Sequence, residues 1–290
     1  MKKKILALLG LALILTGCAA NEDEQSLAPS TTENTTPTAA TAPIYSGRLK
    51  TVWVHETISR TDENGTSRTE YVYREDGTLS DVVMYGTDDK EQQRYAVTCD
   101  DYGNPIRWVM TVETEETTTE SAVEYIFDDQ GHTAGTYVYT DGVLITSTEN
   151  QWEGELQTAT TMKAVTQDIE QKTTYTYDEA GRLVRQDLYV DGELAAYALC
   201  THDEQGRVSV SQGYDLEGKP TTAVTYTYEE NKETRVSTDE TGKVVRTQVM
   251  EYDQYGNIIK NAVKDERGTA TQTHTWKAVE VPESWPRATV

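Results

Sequence analysis

The feature that most constrains this chain is a quartet, Asp-x-x-Gly, repeated nine times. Asp stands at positions 62, 100, 128, 178, 203, 215, 239, 253 and 265, with Gly three residues later each time. The chemistry is that of a chain reversal. An Asp carboxylate opens a turn by accepting backbone N–H groups further on. Gly closes it where the backbone needs φ > 0, which side chains with a Cβ resist. Asp141-Gly142 and Asp191-Gly192 have the form of two-residue hairpin turns. The same quartet occurs in nucleotide switches, but no Gly-x-x-x-x-Gly-Lys phosphate loop accompanies it here. An EF-hand reading fails too, for want of alternating oxygen ligands and a late Glu.

Between the turns the residues alternate. Counting back from the turn Gly, rings or apolar side chains recur at minus four and minus six. The pairs are Tyr71/Tyr73, Tyr125/Phe127, Tyr175/Tyr177 and Met250/Tyr252. A period of two means one packed face and one wet face. The glycines set a drifting period near 25: Gly77, Gly103 and Gly131 are 26 and 28 apart, and Gly131 and Gly181 are 50 apart. The expected fold is all-β, an antiparallel meander of repeated hairpins forming a twisted or curled sheet. Strands of about five to eight residues are expected between turns about every 11 to 14 residues. The ring content of 18 Tyr, 5 Trp and 1 Phe suits half-buried strands. No stretch shows helical periodicity, and the repeat is hardest to follow from Trp152 to Asp168. Cys99, Cys200 and His202 fall on the packed face. Buried thiols are therefore expected, since a disulfide would need the sheet to curl on itself.

The N-terminus differs in kind. Met1-Lys2-Lys3-Lys4 precedes an apolar run, Ile5 to Leu15, and then Thr16, Gly17 and Cys18. This is the pattern of a secretory signal peptide. The run is shorter than the roughly 20 residues a membrane-spanning helix needs. Leu15-Thr16-Gly17-Cys18 resembles the lipobox of bacterial lipoproteins. The resemblance implies cleavage before Cys18 and a diacylglyceryl group on its thiol, so residues 1–17 are read as leader. Residues 18–44 are read as the lipidated Cys and a disordered Thr/Ala/Pro-rich spacer, too poor in apolar residues to offset its ordering entropy. Residues 45–281 form the repeat domain and 282–290 a tail.

The string Tyr175-Thr176-Tyr177-Asp178-Glu179-Ala180-Gly181-Arg182-Leu183 resembles the YD repeat of Rhs and wall-associated bacterial proteins. Looser copies extend the likeness from about residue 45 to 275. The resemblance implies an extracellular β-scaffold and transfers no catalytic residue. Only one copy is close to the full motif, the period is longer than the family's, and no Rhs core motif or toxin module follows.

No chemical constellation emerges from the sequence. His55, His132, His202 and His274 are each isolated, and no H-E-x-x-H, G-x-S-x-G or C-x-x-C occurs. Cys18 is thus the one assigned site, for lipid attachment; no catalytic, cofactor or metal residue is assigned. The net charge of −23 becomes −26 once Lys2, Lys3 and Lys4 leave with the leader, which disfavours nucleic acid as a partner. The expected role is a non-enzymatic surface, structural or adhesive module. It would be anchored by its lipid to the extracytoplasmic face of the cell membrane, with cell-wall glycan or a protein as ligand. The Thr/Pro-rich spacer points toward a Gram-positive surface. The alternative is an enzyme or accessory acting on envelope polysaccharide through paired carboxylates. A transporter's substrate-binding lipoprotein fits poorly, because those proteins are rich in helices.

Overall fold

The computed structural model describes residues 49–113 and 117–283. The leader, Cys18 and the spacer lie outside the described residues, as does the tail beyond residue 283. The described chain is all-β, an antiparallel meander of eighteen strands interrupted by a single 3-10 turn at Val165–Gln167. It divides into two compact units.

The split unit is made of two chain segments, residues 49–146 and 272–283. It holds β1 (Leu49–Asp62), β2 (Gly65–Tyr73), β3 (Leu79–Tyr85), β4 (Glu91–Cys99), β5 (Pro105–Glu113), β6 (Thr118–Phe127) and β7 (Thr133–Thr140). The continuous unit, Ser147–Thr271, holds most of β8 (Val143–Glu153), then β9 (Leu156–Ala164), β10 (Ile169–Tyr177), β11 (Leu183–Val190) and β12 (Glu193–His202). It goes on through β13 (Val208–Tyr214), β14 (Pro220–Glu229), β15 (Lys232–Thr238), β16 (Val244–Tyr252) and β17 (Ile258–Asp265). The last strand, β18 (Gly268–Pro282), begins in the continuous unit. From Gln272 it belongs to the split unit, where it pairs with β1.

All nine repeat glycines have φ > 0, as the turn reading requires. Seven of the nine quartets share one geometry. In the Asp178 turn, Gly181 N–H donates to Asp178 O at 2.9 Å and Asp178 N–H donates to Arg182 O at 2.9 Å. This is a three-residue hairpin loop with Gly in the bulge position. The quartets at Asp62 and Asp265 differ. Asp62 pairs across the ladder with Gly65, leaving the two-residue loop Glu63-Asn64. Asp265 ends one strand and Gly268 begins the next, leaving Glu266-Arg267. Their glycines sit near φ +124° and +126°, away from the values near +80° elsewhere. Asp141-Gly142 and Asp191-Gly192 carry positive φ at both residues, the signature of the mirror-image turn that suits twisted hairpins.

The strands run from 7 to 15 residues; six keep to the five to eight expected and the others are longer. Thr and charged residues beyond the Tyr-rich cores extend the ladders, because β-branched polar residues also suit a pleated surface. The Trp152–Asp168 stretch departs from the repeat because its turns are built differently. Gly154 closes one, and the 3-10 turn ends on Asp168 in the left-handed region.

Alternation holds along the strands. In β11, Gln186, Leu188 and Val190 are buried, while their neighbours are only partly covered. The core of the continuous unit is Leu188, Val190, Ala196, Ala198, Val224 and Tyr226. That of the split unit is Leu79, Val82, Tyr95, Val97 and Met110, with Tyr71, Tyr73, Cys99 and Trp108 packed against it. The opposite face is not uniformly wet. Val82 and Val83 are neighbours in sequence, point to opposite faces and are both buried, as are Ala122 and Val123.

Candidate functional site

The acids of the repeat are engaged by their own turns. Asp178 Oδ1 accepts the N–H groups of Ala180 and Arg182, and its Oδ2 accepts Arg182 Nε. The Arg182 guanidinium, followed by these backbone N–H groups, holds the Asp178 carboxyl below its ordinary range. The Thr241 hydroxyl does the same for Asp239, and Arg267 for Asp265. Carboxylates of this kind are stabilised as anions. They are poor candidates for a general acid, which needs a raised pKa.

A different chemistry gathers in the split unit, where β1, β2 and β18 meet. Alternation puts His274 and Trp276 on one face of β18. Their neighbour on β1 is His55. The His55 ring stacks on Trp276, with centroids 3.7 Å apart, and on Tyr71 of β2 at 5.4 Å. His55 Nε2 and His274 Nδ1 face each other at 3.3 Å. Burial, and then the charge on His274, lower the His55 pKa to about 4. Burial also lowers that of His274. Tyr71 is pushed up to about 12 and Tyr73 higher still, both chiefly by burial. Lys277 Nζ lies 4.5 Å from the Tyr73 ring centre. Two polar atoms of this group, Tyr73 Oη and His274 Nε2, are buried without a hydrogen-bond partner. Perturbed titratable groups clustered on one face are where a site is sought first.

Of the four histidines that look isolated in sequence, the fold therefore unites two. His132 instead serves a turn, its Nδ1 lying 3.0 Å from Asp128 Oδ2. His202 is half-buried on β12 of the continuous unit. Neither Cys99 nor Cys200 is in a disulfide: Cys200 is buried with its Sγ donating to Ser211 Oγ at 3.8 Å, and Cys99 is half-buried with its Sγ donating to Leu79 O at 3.5 Å. Burial raises the Cys99 thiol pKa. Most rings belong to the packed face. Among the described residues the exposed aromatics are Trp53, Tyr102 and Tyr255, and the two tyrosines occupy the same position, just before the turn Gly.

The His55–His274–Trp276 grouping escapes sequence reading because the partners lie 219 residues apart. Alternation in Trp53-Val54-His55 and in His274-Thr275-Trp276 shows which side chains share a face. It does not show that the two strands meet.

No family model matches the chain, and no curated protein matches it. Among solved structures it is similar to a porin-like protein from Bacteroides uniformis. The two are 14% identical, with 76% of this chain and 96% of that one covered and a TM-score of 0.38. It is also similar to a TcdB2-TccC3 structure lacking its hypervariable C-terminal region, with 11% identity and a TM-score of 0.29. That match covers 80% of this chain but 16% of the other. Likenesses at these values carry no functional argument.

Proposed function

We propose that the chain is a lipid-anchored extracytoplasmic protein whose hairpin-repeat domain is a non-enzymatic surface scaffold and binding module. The observation that carries this is the employment of the repeat's acids. Asp100, Asp128, Asp178, Asp203, Asp239 and Asp253 each accept two backbone N–H groups of their own turn. Their carboxylates maintain a surface and leave the turn tips to make contacts. Tyr102 and Tyr255 stand at two of those tips, more than half exposed. A tyrosine ring presented this way can stack on a sugar or an apolar side chain. The lipobox-like Leu15-Thr16-Gly17-Cys18, the spacer and the YD-like string support the same placement at a cell surface.

Two measurements test the reading. Metabolic labelling with a palmitate analogue should mark the wild-type chain and leave Cys18→Ser unmarked and released from membranes. Equal membrane retention of both would sink the anchor. In a pull-down on purified cell-wall glycan, wild type should be enriched over a charge-matched acidic protein, and Tyr102→Ala/Tyr255→Ala should lose the enrichment. No enrichment of wild type would remove the adhesive role for glycan.

A further inference from the structure

We propose that the His55–His274 contact is an acid-operated latch: it holds the first part of β1, from Leu49 to His55, against β18 and releases that segment when the pair takes up protons. The two nitrogens face each other at 3.3 Å where β1 and β18 pair. While both rings are neutral, an N–H of one can point at the lone pair of the other. Once both are protonated, two donors of like charge stand opposed. Its position makes this contact a latch. β1 keeps register with β2 over Thr57–Asp62, and His55 lies just outside that ladder. Toward Leu49 the strand has partners on β18, where Thr51 Oγ1 donates to Glu280 Oε1 at 2.6 Å. On the other flank Thr57 N–H donates to Thr275 Oγ1 at 3.1 Å. Loss of the contact between them frees a strand end that lies beyond the β2 ladder, and uncovers an edge of β18 able to pair with another extended chain.

The groups facing the pair do not offset a proton's charge. β2 presents Tyr71 and Tyr73, whose hydroxyls burial keeps neutral. β18 adds Lys277, a further cation, with its Nζ over the Tyr73 ring. Glu56, next to His55 on β1, has the opposite parity and meets Thr275 instead. Burial, and then the facing His274, lower the His55 pKa, and burial lowers that of His274. Both are thus held below their ordinary 6.5 in the folded chain. The neutral pair's contribution is full above that value and is lost as pH falls below it, for His55 down to about 4. The turn acids Asp178, Asp239 and Asp265, held below 3.8, stay ionised through the upper part of that window. The scaffold's function does not depend on the latch, so either conclusion can fail alone.

The test is hydrogen exchange of the full chain in detergent at pH 7 and pH 5, with rates corrected for the intrinsic effect of pH on amide exchange. Protection of β1 from Leu49 to His55, and of β18 from Gln272 onward, should fall on the order of tenfold between the two. Protection of β11 and β12 in the continuous unit should not change. His55→Phe/His274→Gln keeps a ring on Trp276 and carries no group that titrates there, so its β1 protection should be the same at both pH values. Unchanged β1 protection in wild type would overturn the proposal. So would an equal fall in the double variant, or a fall shared by all strands, which is global unfolding and not release of one segment. Should the variant fail to fold, the imidazole resonances of wild type decide instead. His55 and His274 should titrate below pH 6.5, at the midpoint of the loss of β1 protection, and titration of both at or above that value would refute the latch.

Discussion

Arg182 closes over Asp178: its backbone N–H donates to one carboxylate oxygen at 3.0 Å and its Nε to the other at 2.7 Å. Arg207 holds Asp203 in the same way. Asn104 and Asn257 do so for Asp100 and Asp253 through their side-chain amides. The turn unit is therefore five residues, Asp-x-x-Gly followed by a donor. In five of the seven turns the donor is Arg, Asn or His, whose side chain reaches back to the second oxygen; after Asp215 and Asp239 it is Lys, which donates its backbone N–H. The chain makes the turn without the leading acid as well. At Gly86-Thr87-Asp88-Asp89-Lys90 the same two backbone bonds form, with Asp89 taking the left-handed conformation.

The glycines of these turns separate two costs. Gly181 has φ +74° and open space where a Cβ would stand. Gly181→Ala should destabilise by about 1–2 kcal/mol, from backbone conformation alone. Gly77 has φ +84°, and a Cβ there would lie 3.0 Å from Val281 Cγ1 and 3.3 Å from Glu280 O. Gly77→Ala adds overpacking to the same backbone cost and should lose about 2–4 kcal/mol. Urea titration of both variants checks the order, and equal losses would contradict the contact with β18.

The turn acids give stability a pH dependence of definite sign. Asp178, Asp239 and Asp265 are held below their ordinary value of 3.8 in the folded chain. Their contribution is complete above that value and is lost as pH falls through the depressed folded values. The turn acids' share of the stability should therefore be constant from neutral pH to about pH 5 and then fall, on top of the loss that His55 and His274, with imidazoles held below their ordinary value of 6.5, bring as pH falls below that value. Asp178→Ala/Asp239→Ala should melt below wild type at pH 7, and the gap should close in strong acid. A gap that stays constant with pH would show that the carboxylate charge is not what matters.

Core burial separates side chains of one kind. Leu188 is 1% exposed and sits in the core of the continuous unit, whereas Leu216 is 55% exposed. Leu188→Ala should cost about 2–5 kcal/mol through lost transfer energy and the cavity left behind. Leu216→Ala should stay within about 0.5 kcal/mol of wild type. Chemical denaturation of the two variants measures the difference directly.

Tyr73 offers a test with the opposite sign. Its hydroxyl is buried without a partner. Tyr73→Phe should be neutral or stabilising by up to about 1 kcal/mol, since it removes an unpaired polar group and keeps the ring. A loss above about 1 kcal/mol would mean that this hydroxyl makes a hydrogen bond in solution.

Particular residues show which parts of this fold can be read locally. The Tyr71/Tyr73 and Tyr175/Tyr177 pairs, with Asp and Gly after them, describe strand, face and turn together, because each depends on a few neighbouring residues. The fifth turn residue has no sequence signature, because Arg182, Asn104 and His132 share no side-chain type, only the ability to donate. Asp62 and Asp265 match the quartet but sit at tighter loops, since four letters do not state where a ladder ends. Cys99 and Cys200 fall on the packed face as alternation requires. His55 and His274 could not be joined by any local rule. Period-two patterning says how a strand is turned and nothing about which distant strand lies beside it.

The contact between the ends of the meander, Thr51 to Glu280, spans 229 residues of chain. Hairpins of adjacent strands can zip as they leave the ribosome, but β1 lacks its β18 neighbour until the 229 residues that separate Thr51 from Glu280 have been made. During that interval its backbone donors and acceptors on that side form an open edge able to recruit any extended polypeptide nearby. A nascent chain of this design therefore needs a chaperone or rapid export most while β18 is missing, and termination ahead of β18 should yield aggregates rather than a smaller soluble protein.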